Sequence, residues 1–161
     1  MGQKYILIIF TLVAFGLSGS FTASAAPPAP RAKLNPGLAT IQTPDGYTIH
    51  AEIANTPDQR SQGLMYRTQL PPDGGMLFTF PEPGIWTFWM KNTKMALDML
   101  WLDEKGIIVH IQHAAPICKR QDNLCPRYRS IKPAVAVLEL GPGRSETLNL
   151  APGKKLTIEL P

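Results

Sequence analysis

Cysteine is scarce in this chain, and the motifs of the common enzyme classes are absent from it. Its 161 residues contain two cysteines, Cys118 and Cys125, and the six residues between them disfavour a thioredoxin-like redox motif. The sequence has no Gly-x-Ser-x-Gly nucleophile elbow, no phosphate-binding glycine loop and no His-Glu-x-x-His zinc helix. We therefore expect the protein to bind no cofactor. No residue of the sequence stands out as a catalytic nucleophile.

Histidine is also rare and is poorly placed for metal binding. His110 and His113 are three residues apart, so they would share a face of a helix but not of the strand predicted there. His50 could join them only through tertiary folding. Three scattered histidines without cysteine or carboxylate spacing predict no metal site.

Charged residues make up only 17% of the chain, and the net charge is +4. A nucleic-acid interface requires clustered basic side chains, so this mild and dispersed basicity predicts a solvated surface and no nucleic-acid partner. The most basic stretch, residues 119–132, could dock on anionic envelope lipids or polymers. Its modest charge density fits a solvated loop better.

The N-terminal apolar run, Tyr5–Leu17, has 13 residues, whereas a membrane-spanning helix needs about 20. Lys4 precedes this run and the small residues Ala23 to Ala26 follow it, a pattern typical of a secretory signal peptide. An uncleaved anchor is the alternative. We expect a periplasmic or secreted protein without a transmembrane span after cleavage, divided into a signal peptide (1–25), a proline-rich tether (26–37) and a single β domain (38–161).

Residues 86–102 are the segment around which the domain is predicted to form. They contain all three tryptophans, the polar hinge Lys91–Lys94 and a single carboxylate, Asp98. Apolar residues on both sides of the hinge predict the two strands of a hairpin. The second strand is apolar on both faces, so we expect it to lie inside the sheet.

The remaining pattern predicts about eight short strands and one short helix. The helix starts at Thr56-Pro57-Asp58-Gln59, which has the composition of a capping box, and Gly63 ends it. Strands are expected at 134–140, 145–150 and 155–160, among others, and there is no alternation of strands with helices. The predicted fold is all-β and mainly antiparallel, a jelly-roll-like sandwich or small barrel with one short helix.

Asp98 and Glu139 each interrupt a stretch that is apolar on both faces. An ionised carboxylate in a dry core must be paired, protonated or open to a cleft. We expect both side chains to point into one shared region and Arg67 to reach at least one of them, with Lys91 and Arg60 as further partners. An ion-pair network that fixes strand register would explain these residues without a function. The functional alternative is a binding site lined by Arg67, Trp89, Lys91, Asn92, Asp98 and Glu139.

Several short motifs follow one another along the domain: Glu52-Ile-Ala54, Gly63-Leu-Met-Tyr-Arg67, Gly75-Met-Leu-Phe78, Trp89-Met-Lys-Asn-Thr93, Leu97-Asp98 and Val137-Leu-Glu-Leu140. In this order and at these spacings they resemble the domain-of-unknown-function 192 family of small and often secreted prokaryotic proteins. The similarity covers roughly residues 40–160 and implies a compact, mostly antiparallel β domain of jelly-roll type, with no established activity.

Three functions are compatible with these patterns. Trp86 and Trp89 are three residues apart and so lie on opposite faces of a strand; core packing is the expected fate of each, and the alternative is that one of them is an exposed platform on which a sugar stacks. We therefore expect an exported domain that binds an envelope small molecule, glycan or protein partner without catalysis. The alternatives are a small glycan-acting hydrolase with Asp98 and Glu139 as catalytic residues, and a purely structural envelope protein. Export also predicts a Cys118–Cys125 disulfide.

Overall fold

The structure is a computed structural model that describes residues 37–120 and 124–161. The predicted signal peptide, and the predicted tether up to residue 36, lie outside the described residues. Two helices are present in the described part, α1 (Pro57–Gln62) and α2 (Arg144–Thr147). The strands there are β1 (Leu38–Gln42), β2 (Thr48–Ala54), β3 (Gly74–Gly84), β4 (Thr87–Trp89), β5 (Leu97–Leu102), β6 (Ile108–Ala115), β7 (Arg127–Arg129), β8 (Ala134–Leu140) and β9 (Thr157–Glu159).

Seven strands form one mixed sheet in the order β6-β5-β8-β3-β2-β1-β9, and β4 and β7 form a separate two-stranded ribbon. Only β2 and β3 are parallel, and α1 lies in the connection between them, since parallel neighbours need a crossover. The prediction of a mainly antiparallel all-β fold is confirmed. The sheet is not a closed barrel, because its edge strands β6 and β9 do not pair with each other. The isolated bridge between Ile107 and Lys155 and a few backbone hydrogen bonds join the segments beside these edges.

The large sheet buries apolar side chains on both faces, as the doubly apolar strands predicted. All six residues of β5 are buried, and β5 lies between β6 and β8 inside the sheet. We call the two clusters the inner core and the outer core. The inner core includes Ile41, Ile49, Leu77, Leu100, Leu102, Leu138 and Leu140. The outer core includes Leu64, Met76, Phe78, Met90, Met99, Trp101 and Val137, with Phe88 and Tyr128 of the ribbon packed against it.

The predicted hairpin around the Lys91–Lys94 hinge is wrong. β4 pairs with β7, whereas β5 pairs with β6 and β8. The hinge forms a turn, in which the Thr93 N–H donates to the Met90 carbonyl at 3.4 Å, but this turn does not return the chain along β4, because the hinge also binds the loop that follows α1. The Tyr66 N–H donates to the Asn92 carbonyl at 2.8 Å, and the Lys94 N–H donates to the Arg67 carbonyl at 3.2 Å. These contacts direct the chain away from β4.

The helix start was predicted correctly. The Thr56 hydroxyl accepts the Gln59 N–H at 3.2 Å, and the Gln59 side chain accepts the Thr56 N–H at 3.1 Å, which is a capping box. Gly63 ends α1 with a φ of 45°. A Cβ at this position would lie 3.1 Å from the Phe78 ring, so a glycine permits both the turn and the close packing.

In the C-terminal third of the chain, the sequence predicted one strand with its exact bounds and a second strand that does not form. β8 spans residues 134–140 as expected, but the strand expected at 145–150 is absent, and α2 forms at its start. The Gly143 and Ser145 N–H groups donate to the Asp98 carboxylate, which holds this segment in a helical turn instead.

The long connection before β8 contains the predicted disulfide. Cys118 and Cys125 are bonded, with 5.7 Å between their Cα atoms, so this prediction is confirmed. No helix in residues 37–120 or 124–161 has the length and apolar character that a membrane crossing requires.

Candidate functional site

Glu139 lies in the middle of the outer core. On β8 it is directly opposite Met76 of β3 on one side and Met99 of β5 on the other. Residues directly opposite each other on neighbouring strands project from the same face of a sheet. Glu139 therefore projects among thioether and aromatic side chains, and it is only 4% exposed.

The Glu139 carboxyl has no hydrogen-bond or ion-pair partner among the described residues. Burial in this apolar surrounding raises the pKa of Glu139 from 4.5 to about 8, because removal from water penalises the charged form. At neutral pH the group is therefore mainly a neutral carboxylic acid. In that form it can donate one hydrogen bond as well as accept.

A small cavity of about 30 Å³ adjoins the carboxyl, between the end of α1 and the ribbon. That volume accommodates about one water-sized group. We call it the Glu139 pocket. Polar and apolar side chains line it in similar numbers; the lining residues are Arg60, Ser61, Gln62, Gly63, Leu64, Met65, Phe78, Phe88, Trp89, Lys91, Thr93 and Glu139.

The rim of the pocket is cationic. The Lys91 ammonium and the Arg127 guanidinium each lie 5.0 Å from the centroid of the Trp89 ring, within cation–π range. On the α1 side, the Arg60 guanidinium donates to the carbonyls of Asn55 at 2.7 Å and Thr79 at 3.0 Å. The rim thus presents positive charge around an aromatic platform, above an acid that is mainly uncharged.

Two residues beside the pocket adopt left-handed backbone conformations although neither is glycine. Tyr66 has a φ of 66° and Asn92 a φ of 58°. They brace each other, since the Asn92 side-chain amide donates to the Tyr66 hydroxyl at 3.1 Å and contacts the Met65 sulfur at 3.7 Å. Such strain persists only where the surrounding structure enforces it, and it is concentrated at functional sites.

Asp98 does not belong to this pocket, so the prediction that it shares a region with Glu139 is wrong. Asp98 is opposite Leu140, whereas its neighbour Met99 is opposite Glu139. Alternate residues of a strand project to opposite faces, so Asp98 faces the inner side of the sheet. The single-residue offset between the two strands could not be deduced from the sequence.

Four donors satisfy the Asp98 carboxylate without a cation. Oδ1 accepts the Ala114 N–H at 2.8 Å and the Gly143 N–H at 3.2 Å. Oδ2 accepts both the N–H and the hydroxyl of Ser145, at 2.9 and 2.6 Å. The Ser145 hydroxyl in turn lies 3.0 Å from Nδ1 of His113. Asp98 is therefore a structural anchor that joins β5, β6 and the start of α2.

Arg67 does not reach either core carboxylate, and that prediction is also wrong. Its guanidinium binds the Glu52 carboxylate in a bidentate pair, with N–O distances of 2.5 and 2.6 Å. Glu52 is opposite Met76, which is itself opposite Glu139, so the two glutamates are two strands apart on one face. At the usual strand spacing their backbones are about 10 Å apart.

The structure thus brings Trp89, Lys91 and Glu139 together, with Asn92 at the border and Arg67 and Asp98 elsewhere. The catalytic pair required by the hydrolase alternative does not form, because its two carboxyl groups lie on opposite faces. Within the described ranges, no three His, Cys, Asp or Glu side chains converge as ligands for a metal ion. Sequence reasoning missed Ser145 as a partner of Asp98, although Gly143-Arg-Ser145 offers closely spaced backbone donors.

The fold and site together define a small all-β domain with an unpaired buried acid in a pocket with a cationic rim. The chain belongs to the DUF192 family, described as uncharacterized ACR, whose model matches residues 40–158. The resemblance noted in the sequence is therefore confirmed.

Four solved chains match this chain, among them the following two. One is from Sinorhizobium meliloti 1021, and its name proposes a transcription regulator; it has 38% identity and a TM-score of 0.66, over 76% of this chain and 92% of that one. The other is a protein of unknown function from Novosphingobium aromaticivorans DSM 12444; it has 29% identity and a TM-score of 0.68, over 84% of this chain and 94% of that one. No curated protein matches the chain.

Proposed function

We propose that this protein is an exported, non-catalytic binding domain whose ligand inserts a carboxylate or carbonyl oxygen into the Glu139 pocket. The observation that carries the proposal is the buried Glu139 carboxyl, which lacks a partner within the described residues and faces a cavity. The Glu139 oxygens are not among the fully enclosed unpartnered polar atoms of the described residues, so they open onto the pocket, and an acid held in an apolar core without a protein partner costs stability.

The chemistry of the pocket favours an anionic or carbonyl-bearing group. Because the pKa of Glu139 is raised to about 8, the acid can donate a hydrogen bond to a ligand oxygen at neutral pH. The ammonium of Lys91 and the guanidinium of Arg127, both beside Trp89, supply positive charge at the entrance. The pocket holds only the tip of a ligand, so the remainder would lie across Trp89.

Acidic sugars, small organic acids and the C-terminus of a peptide all present this chemistry. A purely structural role would instead leave the pocket without any ligand. The name of the Sinorhizobium meliloti relative suggests a regulatory role for that protein, but the Glu139 pocket contains no feature that reads nucleic-acid bases.

Export is part of the proposal. The Cys118–Cys125 disulfide supports an oxidising compartment, since such bonds are rare in the cytosol. The small residues Ala23 and Ala25 place signal cleavage before Ala26, with Pro27 as the alternative first residue. Intact-mass measurement of the exported protein checks this, and a mass that retains residues 1–25 would indicate an anchored domain instead.

Calorimetric titration of the exported protein with N-acetylmuramic acid, galacturonic acid and D-alanyl-D-alanine tests the binding proposal. Glucose serves as the neutral control. We expect at least one acidic probe to bind the wild type below pH 8 and to bind Glu139→Leu at least tenfold more weakly. Glu139→Gln retains a donor, so it should keep the binding and extend it above pH 8.

Glu146→Gln is the matched control, because Glu146 is an exposed acid outside the pocket. This variant should bind the acidic probes as the wild type does. Binding that is equal for wild type and Glu139→Leu would exclude the pocket as the site. An absence of binding for every acidic probe would favour the structural role.

A further inference from the structure

The β4–β7 ribbon has two faces of opposite character. In its register, Thr87 is opposite Arg129, Phe88 is opposite Tyr128 and Trp89 is opposite Arg127. Phe88 and Tyr128 pack on the outer core. The alternate residues Thr87, Arg127 and Arg129 are exposed and form the other face, together with the half-buried Trp89.

Two exposed isoleucines flank the ribbon. Ile85 lies two residues before Thr87, and Ile131 lies two residues after Arg129, so both lie next to the end of the ribbon at which Thr87 pairs with Arg129. Both are exposed, Ile85 by 44% and Ile131 by 84%. An aliphatic side chain that is exposed by 84% gains nothing from the fold.

The outward face of the ribbon therefore has an ordered composition. Ile85 and Ile131 lie at one end, Thr87 and Arg129 in the middle, and Trp89 and Arg127 at the other end. Residues 85–91 and 127–132 contain four basic side chains, namely Lys91, Arg127, Arg129 and Lys132, and no acidic one. A charge of one sign, with isoleucines and a tryptophan around it, is the composition of a surface that binds at a membrane interface.

We infer that this face of the ribbon docks the exported domain on an anionic phospholipid surface. Charge complementarity supports a lipid partner, since the basic side chains can contact headgroup phosphates. The two isoleucines would enter the boundary between headgroups and acyl chains, and Trp89 suits the same depth because its ring is amphipathic. The inward face of the ribbon already packs on the core, so docking requires no rearrangement of the fold.

This inference goes beyond the proposed function; it shares with it the export of the domain but does not depend on ligand binding at the Glu139 pocket. Arg129, Ile131 and Lys132 are not among the residues that line the Glu139 pocket, so they can be replaced without altering that pocket. Docking would nevertheless bring the entrance of the pocket, at Trp89 and Lys91, close to the bilayer.

Co-sedimentation of the processed, disulfide-bonded protein with vesicles tests the inference. One set of vesicles contains phosphatidylcholine with about one third phosphatidylglycerol, and the other contains phosphatidylcholine alone. We expect binding to the anionic vesicles only, and we expect it to weaken as salt is added. Removal of one basic residue should lower the affinity for anionic vesicles by about fivefold. The double variant Arg129→Gln, Lys132→Gln should therefore bind about 25-fold more weakly than the wild type.

Ile131→Ser should weaken binding by about tenfold, because an exposed serine has no apolar group to insert. Lys105→Gln is the matched control, since Lys105 is exposed in the β5–β6 turn, away from the ribbon. This variant should bind the vesicles with an affinity within about twofold of the wild type. Equal binding to both kinds of vesicle, or an equal loss for Lys105→Gln, would overturn the inference. The inference would also be overturned if the Arg129→Gln, Lys132→Gln variant bound vesicles as the wild type does and the wild type bound duplex DNA tightly.

Discussion

The carboxyl groups of Asp98 and Glu139 lie on opposite faces of one sheet, although β5 and β8 are neighbouring strands. Asp98 receives hydrogen bonds from three N–H groups and one hydroxyl, whereas Glu139 has no partner among the described residues and faces a cavity. Two acids that looked equivalent in sequence thus differ in role. One stabilises the fold, and the other faces the pocket in which we propose that a ligand binds.

The role of Asp98 predicts a large loss of stability in Asp98→Asn. An amide cannot accept from four donors, and its NH₂ group would face an N–H or hydroxyl donor in either orientation. We expect the free energy of unfolding to fall by about 3 kcal/mol, since a buried charge-assisted network is broken. Denaturant unfolding measures this. Asp45→Asn, in the exposed β1–β2 turn, should change stability by less than about 0.5 kcal/mol, and an equal loss in both variants would contradict the account.

Because Arg67 pairs with Glu52 and not with Asp98, we expect substitutions of Arg67 and Glu52 to be coupled in their effect on the free energy of unfolding. Their side chains are 41% and 23% exposed, so a coupling energy of about 1 kcal/mol is expected for the bidentate contact. A double-mutant cycle with Arg67→Ala and Glu52→Gln measures it. Arg67→Ala combined with Asp98→Asn should instead be additive, because the two residues share no partner. Coupling to Asp98 would restore the pairing that the sequence suggested.

The disulfide should stabilise the long connection before β8. Cys118 and Cys125 are seven residues apart, and closure of such a short loop is worth about 2–3 kcal/mol in the chain-entropy model. Unfolding of oxidised protein and of the Cys118→Ser, Cys125→Ser variant should differ by this amount. Thiol labelling of the unfolded, unreduced protein should find no free thiol, and two labelled cysteines would refute the bond.

Much of the fold could be predicted, because a strand that is buried on both faces appears in the sequence as a continuous apolar run. The apolar run 134–140 matches β8, and the capping box at Thr56 marks the start of α1. Local chemistry determines both features. The pairing of β4 with β7 could not be predicted in the same way, since about forty residues separate these strands and only tertiary packing selects the partner.

The site was predictable in part for the same reason. Glu139, Trp89 and Lys91 stood out as an acid in an apolar strand, an aromatic and a neighbouring cation, and the structure brings them together at one pocket. The partner of Arg67 depends on where the loop after α1 meets β2. The face of Asp98 depends on a register in which an offset of one residue reverses every side chain.

The measurement that tests the central claim most directly is the pH dependence of stability in wild type and Glu139→Gln. The pKa of Glu139 is raised from 4.5 to about 8 by burial, so within this window the folded protein holds a proton that the unfolded chain has lost. Stability should therefore fall as the pH rises from 4.5 towards 8, by up to about 1.4 kcal/mol per pH unit.

Glutamine does not titrate, so the variant should lack this part of the slope. The free energy of unfolding of the wild type, minus that of Glu139→Gln, should decrease steadily across the window and level off above pH 8, while Glu104→Gln, at an exposed position of the β5–β6 turn, should parallel the wild type. A difference that stays constant from pH 4.5 to 8 would show that the carboxyl has an ordinary pKa. In that case Glu139 would be solvated or paired, and it would not be the buried acid on which the proposed binding site depends.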